Sequence, residues 1–331
     1  RRRPGRGRRT GAPELMKRSG PFPSPRTTCA GILFGAILLL WNSGCGPAPV
    51  APAADAVPTL RLVTARIRGF DPALAADEAS LLATGRIYEG LLQYAYWDRP
   101  YRVEPLLAAA LPDVSADGLT WRIRIRAGIF FADDPCFAAA GGKGRELVAQ
   151  DFVYSILRIA DVKVGSGGYW AFRGKIAGLD EFREASRGEG PTDYDRPVAG
   201  LRANGPYELE IRLTFPYPQL PWVLAMPYAF AVPREAVEFY GSGFANHPVG
   251  TGPYVLADAR QNYRYEYRAN PKWTETGRTD AMPADAPTPD AGKPLPLTPR
   301  IVDVVVGDPS TAWLMFLAGQ LDMVGVSREQ W

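Results

Sequence analysis

The chain has 331 residues, 46% of them hydrophobic and 11% aromatic, a composition that excludes a globally disordered protein and allows two domains of roughly 150 residues each. Its formal net charge of +3 is unevenly distributed, since residues 1–44 hold nine Lys or Arg and one acid while the remainder holds 29 basic and 34 acidic residues. Because phosphate binding needs clustered Lys and Arg, the mildly acidic body argues against nucleic acid as a partner.

The first 44 residues have the pattern of a secretory leader. Residues 1–15 are rich in Arg, Gly and Pro, and residues 16–18, Met-Lys-Arg, precede an apolar run over 29–41. A run of this length is typical of the hydrophobic part of a signal peptide and is too short to cross a bilayer as a mature helix. We therefore predict that residues 1–44 are a leader.

Cys45 ends a Ser-Gly-Cys sequence that resembles a bacterial lipobox, in which the cysteine sulfur is acylated. The Leu usually found three places before the cysteine is Asn42 here. The alternative is cleavage near 51–53, which would release a soluble protein. We predict a lipid anchor on Cys45 and an extended Pro/Ala-rich tether over 45–58, a segment with too little apolar content to pack.

Side chains that commonly carry catalysis or bind metals are scarce. Besides Cys29 and Cys45, the only cysteine is Cys136, so the body cannot form a disulfide framework. His247 is the only histidine, which argues against His-based catalysis and His-rich metal sites. Nucleophile-elbow, Cys-x-x-Cys and dinucleotide glycine motifs are absent from the sequence. We predict no catalytic residue, no metal and no cofactor, although carboxylates are numerous enough for a two-carboxylate glycosidase.

Residues 59–280 are predicted to form a first, mixed α/β lobe. Apolar residues alternate with polar ones in four strands and recur at helical spacing in two helices. The strands are predicted over 60–63, 120–126, 208–213 and 263–268, and the helices over 80–93 and 151–160. Val148 precedes the second predicted helix, and its side chain cannot cap that helix.

Two of these strands carry patterns that also have a functional interpretation. Three arginines share one face of 120–126, opposite Trp121, Ile123 and Ile125, and a solvated sheet face is favoured over an anion site. Three tyrosines share one face of 263–268, and packing in the strand core is favoured over a stacking platform.

The C-terminal part of the chain is predicted to open a second lobe. Residues 281–299 contain six prolines and are expected to form a surface loop. The pattern then predicts a strand over 301–306, a helix over 310–318 and a parallel strand over 321–326, with a right-handed crossover. Because a lone βαβ unit cannot bury both faces of its sheet, we expect 300–331 to be the incomplete start of that lobe.

Seven short segments occur in an order that resembles a known family. They are Phe-Asp-Pro at 70–72, Ile-Tyr-Glu-Gly-Leu-Leu at 87–92, 117–129, Ala-Gln-Asp-Phe-Val-Tyr-Ser at 149–155, 176–181, Pro-Val-Gly-Thr-Gly-Pro-Tyr at 248–254, and Gly-Gln-Leu-Asp-Met at 319–323. Over residues 60–331 the chain resembles the large periplasmic oligopeptide-, dipeptide- and nickel-binding proteins of ABC importers, extracellular solute-binding protein family 5. It looks truncated at the C-terminus relative to that family.

The resemblance implies an α/β periplasmic binding protein of the large, type II-like class, with two lobes that close on a ligand. It implies a monomeric, non-enzymatic lipoprotein in the periplasm or on the cell-envelope membrane. Its expected partners are a small-molecule or peptide ligand and the permease subunits of an ABC transporter. A secreted α/β hydrolase and a lipoprotein with a structural role are the alternatives.

The resemblance also places ligand-binding residues on both sides of the cleft. Ala76, Asp77 and Glu78 fall where peptide-binding members pair with the ligand backbone. Tyr169 and Trp170 fall near the pocket wall, and Val326 and Ser327 face the cleft from the other side. The alternative is that 76–78 is only an exposed loop and that both aromatic residues belong to the core.

Overall fold

The computed structural model describes residues 57–275 and 280–328. These residues contain ten strands: β1 (Thr59–Thr64), β2 (Leu92–Tyr94), β3 (Val103–Pro105), β4 (Asp113–Val114), β5 (Thr120–Arg124), β6 (Leu201–Ala203), β7 (Glu208–Arg212), β8 (Tyr254–Arg260), β9 (Arg264–Ala269) and β10 (Arg300–Val305). They also contain seven α-helices: α1 (Glu78–Ile87), α2 (Ala149–Ala160), α3 (Leu179–Ala185), α4 (Leu220–Leu224), α5 (Arg234–Tyr240), α6 (Pro271–Glu275) and α7 (Pro309–Leu317). No helix in these ranges has the length and apolar character needed to cross a bilayer.

The first of two four-stranded sheets has the order β1-β10-β9-β8. β10 pairs with β1 in parallel and with β9 in antiparallel, and β8 pairs with β9 in antiparallel. In β9 the side chains of Tyr265 and Tyr267 are buried, whereas Tyr263 before the strand is exposed. The ring of Phe70 packs edge-on against both buried tyrosines, at centroid distances of 5.8 and 6.4 Å. Tyr265 and Tyr267 therefore belong to the strand core, as predicted, whereas Tyr263 does not.

The position of β10 corrects the prediction that residues 300–331 begin a separate lobe. The strand lies between β1 and β9, in the middle of the first sheet. The segment 321–326 is not a strand either, since Met323 forms a single parallel bridge with Leu62. Its neighbour Asp322 is held to Arg61 by a backbone hydrogen bond of 2.9 Å. Alternation identified β10 as a strand, but the choice of partner depends on β1, far away in the sequence.

The second sheet has the order β4-β5-β7-β6, and all its neighbouring strands are antiparallel. Trp121 and Ile123 of β5 are buried while the arginines between them are largely exposed, as the alternation predicts. Glu210 of β7 lies opposite Arg122, on the face of the sheet that was expected to be solvated. Only 7% of Glu210 is exposed, however. Its carboxylate accepts hydrogen bonds from Arg122 at 3.1 Å and Arg202 at 2.7 Å, which compensate for the lost water.

Two helix predictions need adjustment. The first predicted helix, over 80–93, ends at Ile87, because Tyr88 adopts an extended conformation and the chain continues into β2. At the start of α2 the side chain of Val148 makes no capping hydrogen bond, as expected. Instead the carboxylate of Asp151, a residue in the first turn of α2, accepts a hydrogen bond from the backbone N–H of Val148 at 2.9 Å. This hydrogen bond stabilises the start of the helix.

Candidate functional site

A buried ion pair anchors the turn that precedes the predicted ligand-binding segment. Asp71 and Arg158 are both at least 95% buried, and two hydrogen bonds of 2.8 and 3.1 Å join their side chains. The Asp71 carboxylate also accepts a hydrogen bond from the backbone N–H of Ala73 at 3.0 Å. The turn after Phe70 is therefore attached to the last turn of α2.

The segment 76–78 lies at the start of α1. Asp77 is the N-cap residue, and its carboxylate accepts hydrogen bonds from the Ser80 N–H at 3.0 Å and the Ser80 hydroxyl at 2.9 Å. Ala76 and Glu78 are exposed. Among the described residues, neither the N–H nor the C=O of Ala76 takes part in a hydrogen bond. The Asp77 side chain is thus committed to the helix, while the backbone at Ala76 is available to a partner strand.

A cavity of about 390 Å³ opens beside this segment. It is lined by β1, α1, β10 and residues 323–325, and we call it the β1–α1 cavity. Ala79 of α1 lines it directly after Glu78, and Gly325 lines it directly before Val326. None of the predicted residues at 76–78 and 326–327 lines the cavity itself; their chain neighbours Ala79 and Gly325 do. Val326 is exposed and Ser327 is half-buried.

A second ion pair lies on the wall of the β1–α1 cavity. Arg86 of α1 contacts the carboxylate of Asp303 in β10, and the Asp303 residue is 2% exposed. The guanidinium of Arg86 also lies 4.8 Å from the ring centroid of Tyr267. Burial raises the pKa of Asp303 above its ordinary value, and the charge of Arg86 opposes that rise. This pair ties α1 to the central strand of the first sheet.

Arg86 and Asp303 are not among the site residues predicted from the sequence. One signal was present: Asp303 is a lone carboxylate inside the apolar run 301–306, where an unpaired charge would be costly to bury. Such a residue requires a partner. The sequence does not identify which of the 29 arginines and lysines beyond the leader provides it, because α1 and β10 are far apart along the chain.

The predicted aromatic residues of the pocket wall do not line this cavity. Tyr169 is 8% exposed, its hydroxyl donates a hydrogen bond to the Asp180 carboxylate, and its ring lies 4.1 Å from the guanidinium carbon of Arg183. Burial and the neighbouring carboxylate raise the pKa of the Tyr169 hydroxyl. Trp170 is 57% exposed, and its carbonyl accepts a hydrogen bond from Lys175 at 3.0 Å. Tyr169 thus packs in the core, and Trp170 faces solvent.

A larger cavity, of about 580 Å³, lies between the β2–β3 hairpin and residues 295–298. It is lined mainly by apolar side chains, and none of the predicted ligand-binding residues lines it. No predicted ligand-binding residue lines the β1–α1 cavity either, but its lining residues Ala79 and Gly325 directly adjoin the two predicted segments 76–78 and 326–327, and we take it as the candidate site for that reason.

The fold has clear counterparts among solved structures. The pheromone receptor PrgZ, described with its mode of peptide binding, superimposes with a TM-score of 0.65 at 22% identity, over 83% of this chain and 48% of that one. Listeria monocytogenes OppA bound to peptide gives a TM-score of 0.64 at 20% identity, over 83% and 48% of the two chains. The described residues therefore have the α/β fold of the two-lobed periplasmic binding proteins, as predicted.

Sequence comparisons agree with the fold. The dipeptide-binding protein of Lactococcus lactis subsp. cremoris is 24% identical over 226 residues, 66% of this chain and 37% of the relative. The glutathione-binding protein GsiB of Escherichia coli O157:H7 is 27% identical over 187 residues, 56% of this chain and 29% of the relative. The chain thus spans well under half the length of these two relatives.

The family is shown by a model for bacterial extracellular solute-binding proteins, family 5 Middle, which matches residues 102–331. The chain belongs to this family. The resemblance read from the seven sequence segments is therefore confirmed.

Proposed function

We propose that this chain captures a peptide between two lobes and delivers it to the permease of an ABC importer, without catalysis. The observation that carries the proposal is the backbone of Ala76, which has no hydrogen bond among the described residues and lies three positions before Ala79 in the wall of the β1–α1 cavity. A ligand strand that pairs with this backbone gains hydrogen bonds that do not depend on its side chains, which suits a binder of varied peptides. The names of two relatives, dipeptide-binding and glutathione-binding protein, support a peptide ligand.

The proposed cleft uses the residues that the sequence singled out, except Tyr169, which packs in the core. Ala76, Asp77 and Glu78 provide one edge, and Val326 and Ser327 face it. Trp170 contributes apolar contact from its exposed ring, since an aromatic side chain has few torsions to immobilise on binding. The protein acts as a monomer that closes on its ligand and presents the closed form to the permease.

Peptide binding should slow hydrogen exchange at the amides of 76–78 in the full-length protein, because those N–H groups would pair with the ligand backbone. Trp170→Ala should weaken binding of a tripeptide such as trialanine by roughly 1–3 kcal/mol, the cost typical of losing an aromatic contact at a binding site. Exchange followed by mass spectrometry and isothermal titration calorimetry measure the two effects.

The matched control for this experiment is Tyr263→Ala, which removes an aromatic ring that is 58% exposed, against 57% for Trp170. The control variant should bind the peptide like the wild type. Tight binding with unchanged exchange at 76–78 and no effect of Trp170→Ala would place the cleft elsewhere.

We also propose that the mature protein is held at the cell-envelope membrane by a lipid on Cys45, a residue outside the described ranges. The support is the Ser-Gly-Cys sequence directly after the apolar run 29–41. Cells given labelled palmitate should incorporate the label into the wild type but not into Cys45→Ala, whose sulfur is missing. Cys136→Ala, which removes the buried thiol of the body, is the control and should keep the label. Equal labelling of all three proteins, or a mature N-terminus near 54, would contradict the anchor.

A further inference from the structure

A second cavity of about 390 Å³ lies between α2, α5 and the loop at 194–195. We call it the α2–α5 cavity, and it shares no lining residue with the β1–α1 cavity. Its walls combine two tyrosines with six charged side chains, four carboxylates and two guanidinium groups. With all six groups ionised, the cavity carries an excess of two negative charges.

The guanidinium of Arg145 is fully occupied by two of the carboxylates. It donates to both oxygens of Asp151, at 2.7 and 2.9 Å, and to both oxygens of Glu235, at 2.5 and 2.8 Å. Asp151 is 3% exposed, so this group forms the inner wall of the cavity. An incoming anion would have to displace a carboxylate from Arg145, which disfavours anionic ligands.

The guanidinium of Arg234, at the mouth of the cavity, pairs with only one oxygen of each of two carboxylates. Arg234 donates to one oxygen of Glu238 at 2.6 Å and to one oxygen of Asp195 at 2.7 Å. Among the described residues, the other oxygen of each carboxylate accepts no hydrogen bond. The Glu238 and Asp195 side chains are 62% and 74% exposed, so both oxygens are within reach of a ligand.

Tyr154 provides an independent indication of a ligand. The residue is only 4% exposed and lines the cavity, yet its hydroxyl forms no hydrogen bond among the described residues. Its ring packs against Tyr194 at a centroid distance of 5.0 Å. The hydroxyl is not among the fully buried polar atoms that lack a partner, so it is accessible, and because Tyr154 lines the cavity the hydroxyl is open to a ligand there. The two rings give the cavity an apolar surface below its charged mouth.

We propose that the α2–α5 cavity binds an aliphatic amine. The ammonium group would donate hydrogen bonds to the free oxygens of Asp195 and Glu238 and to the hydroxyl oxygen of Tyr154, and the alkyl chain would lie against the rings of Tyr154 and Tyr194. The excess of negative charge attracts a cation, and the tyrosine rings favour an organic cation over a hydrated ion. Metal binding is less suited, since the described residues contain no group of three or more His, Cys, Asp or Glu placed to hold an ion. This site is separate from the proposed peptide cleft and does not rest on it.

The test is calorimetric titration of the full-length protein with 1,5-diaminopentane. Asp195→Asn/Glu238→Gln should weaken binding by about tenfold or more, because two charge-assisted hydrogen bonds are lost. The matched control is Asp113→Asn/Glu184→Gln, which removes two carboxylates of similar exposure, 74% and 67%, from ion pairs that do not line the cavity. The control should bind the diamine like the wild type.

The hydroxyl, the charge and the fold are each tested by a further measurement. Tyr154→Phe removes only the hydroxyl and should also weaken binding, and 1-pentanol, which has the chain but no charge, should not bind. Thermal unfolding of each variant checks that the fold is intact. The proposal is overturned by a wild type that does not bind the diamine, or by equal binding in Asp195→Asn/Glu238→Gln, which would move the amine to another site such as the peptide cleft.

Discussion

Arg158→Met should destabilise the protein by about 3–5 kcal/mol, because it leaves the carboxylate of Asp71 buried without its partner. Both side chains are almost fully buried, and the guanidinium makes two hydrogen bonds to the carboxylate. Urea unfolding followed by tryptophan fluorescence measures the change. The control Arg187→Met removes an arginine whose partner Glu184 is exposed, and its cost should stay below about 1 kcal/mol.

A double substitution distinguishes the lost pair from lost packing. Adding Asp71→Asn to Arg158→Met removes the unpaired charge, so the double variant should be more stable than Arg158→Met alone. If the second substitution adds its full separate cost, the two side chains are not energetically coupled and our interpretation of the pair fails. Because Asp71 also holds the N–H of Ala73, the single variant should in addition speed hydrogen exchange in the turn that leads to Ala76.

Gly250→Ala should have the second large effect, a loss above about 4 kcal/mol or a failure to fold. A Cβ at this position would overlap the carbonyl oxygen of Ile87, and that oxygen also accepts a hydrogen bond from the N–H of Gly252 at 2.8 Å. The clash is with backbone at the end of α1, so no side-chain rotation relieves it. Soluble yield and urea unfolding measure the effect.

The same substitution elsewhere provides the control. Gly85 is exposed in α1, and a Cβ there would meet no atom within 4 Å. Gly85→Ala should therefore stabilise the protein by up to about 1 kcal/mol, as alanine is the better helix former. Similar losses in both variants would show that the close approach of Gly250 to Ile87 is not the cause.

The contact at Gly250 also joins two segments that are distant in the sequence. Gly250 and Gly252 pack against Ile87, and the hydroxyl of Thr251 donates a hydrogen bond to the buried carboxylate of Glu89 at 2.9 Å. The motif at 248–254 and the motif at 87–92 are therefore two sides of one close contact. Each motif was visible in the sequence, but the contact between the two motifs was not.

Local patterns in the sequence determined the individual elements. Alternation identified β5, β7, β9 and β10, because a strand that buries one face must place apolar residues at every second position. Helical spacing identified α2 and α7, because a helix that buries one face must place apolar residues three or four positions apart. The ordered motifs also determined the family, because they depend on residue types within short windows.

Only the tertiary structure determined which strands and which side chains pair with one another. β10 joins the first sheet beside β1 instead of opening a second lobe, Glu210 is buried between two arginines, and Asp303 pairs with Arg86 across the β1–α1 cavity. Each of these contacts joins residues far apart in the chain. A periodic pattern shows which face of an element is buried, but it does not show which other element packs against that face. The placement of Tyr169 in the core follows from the same long-range packing.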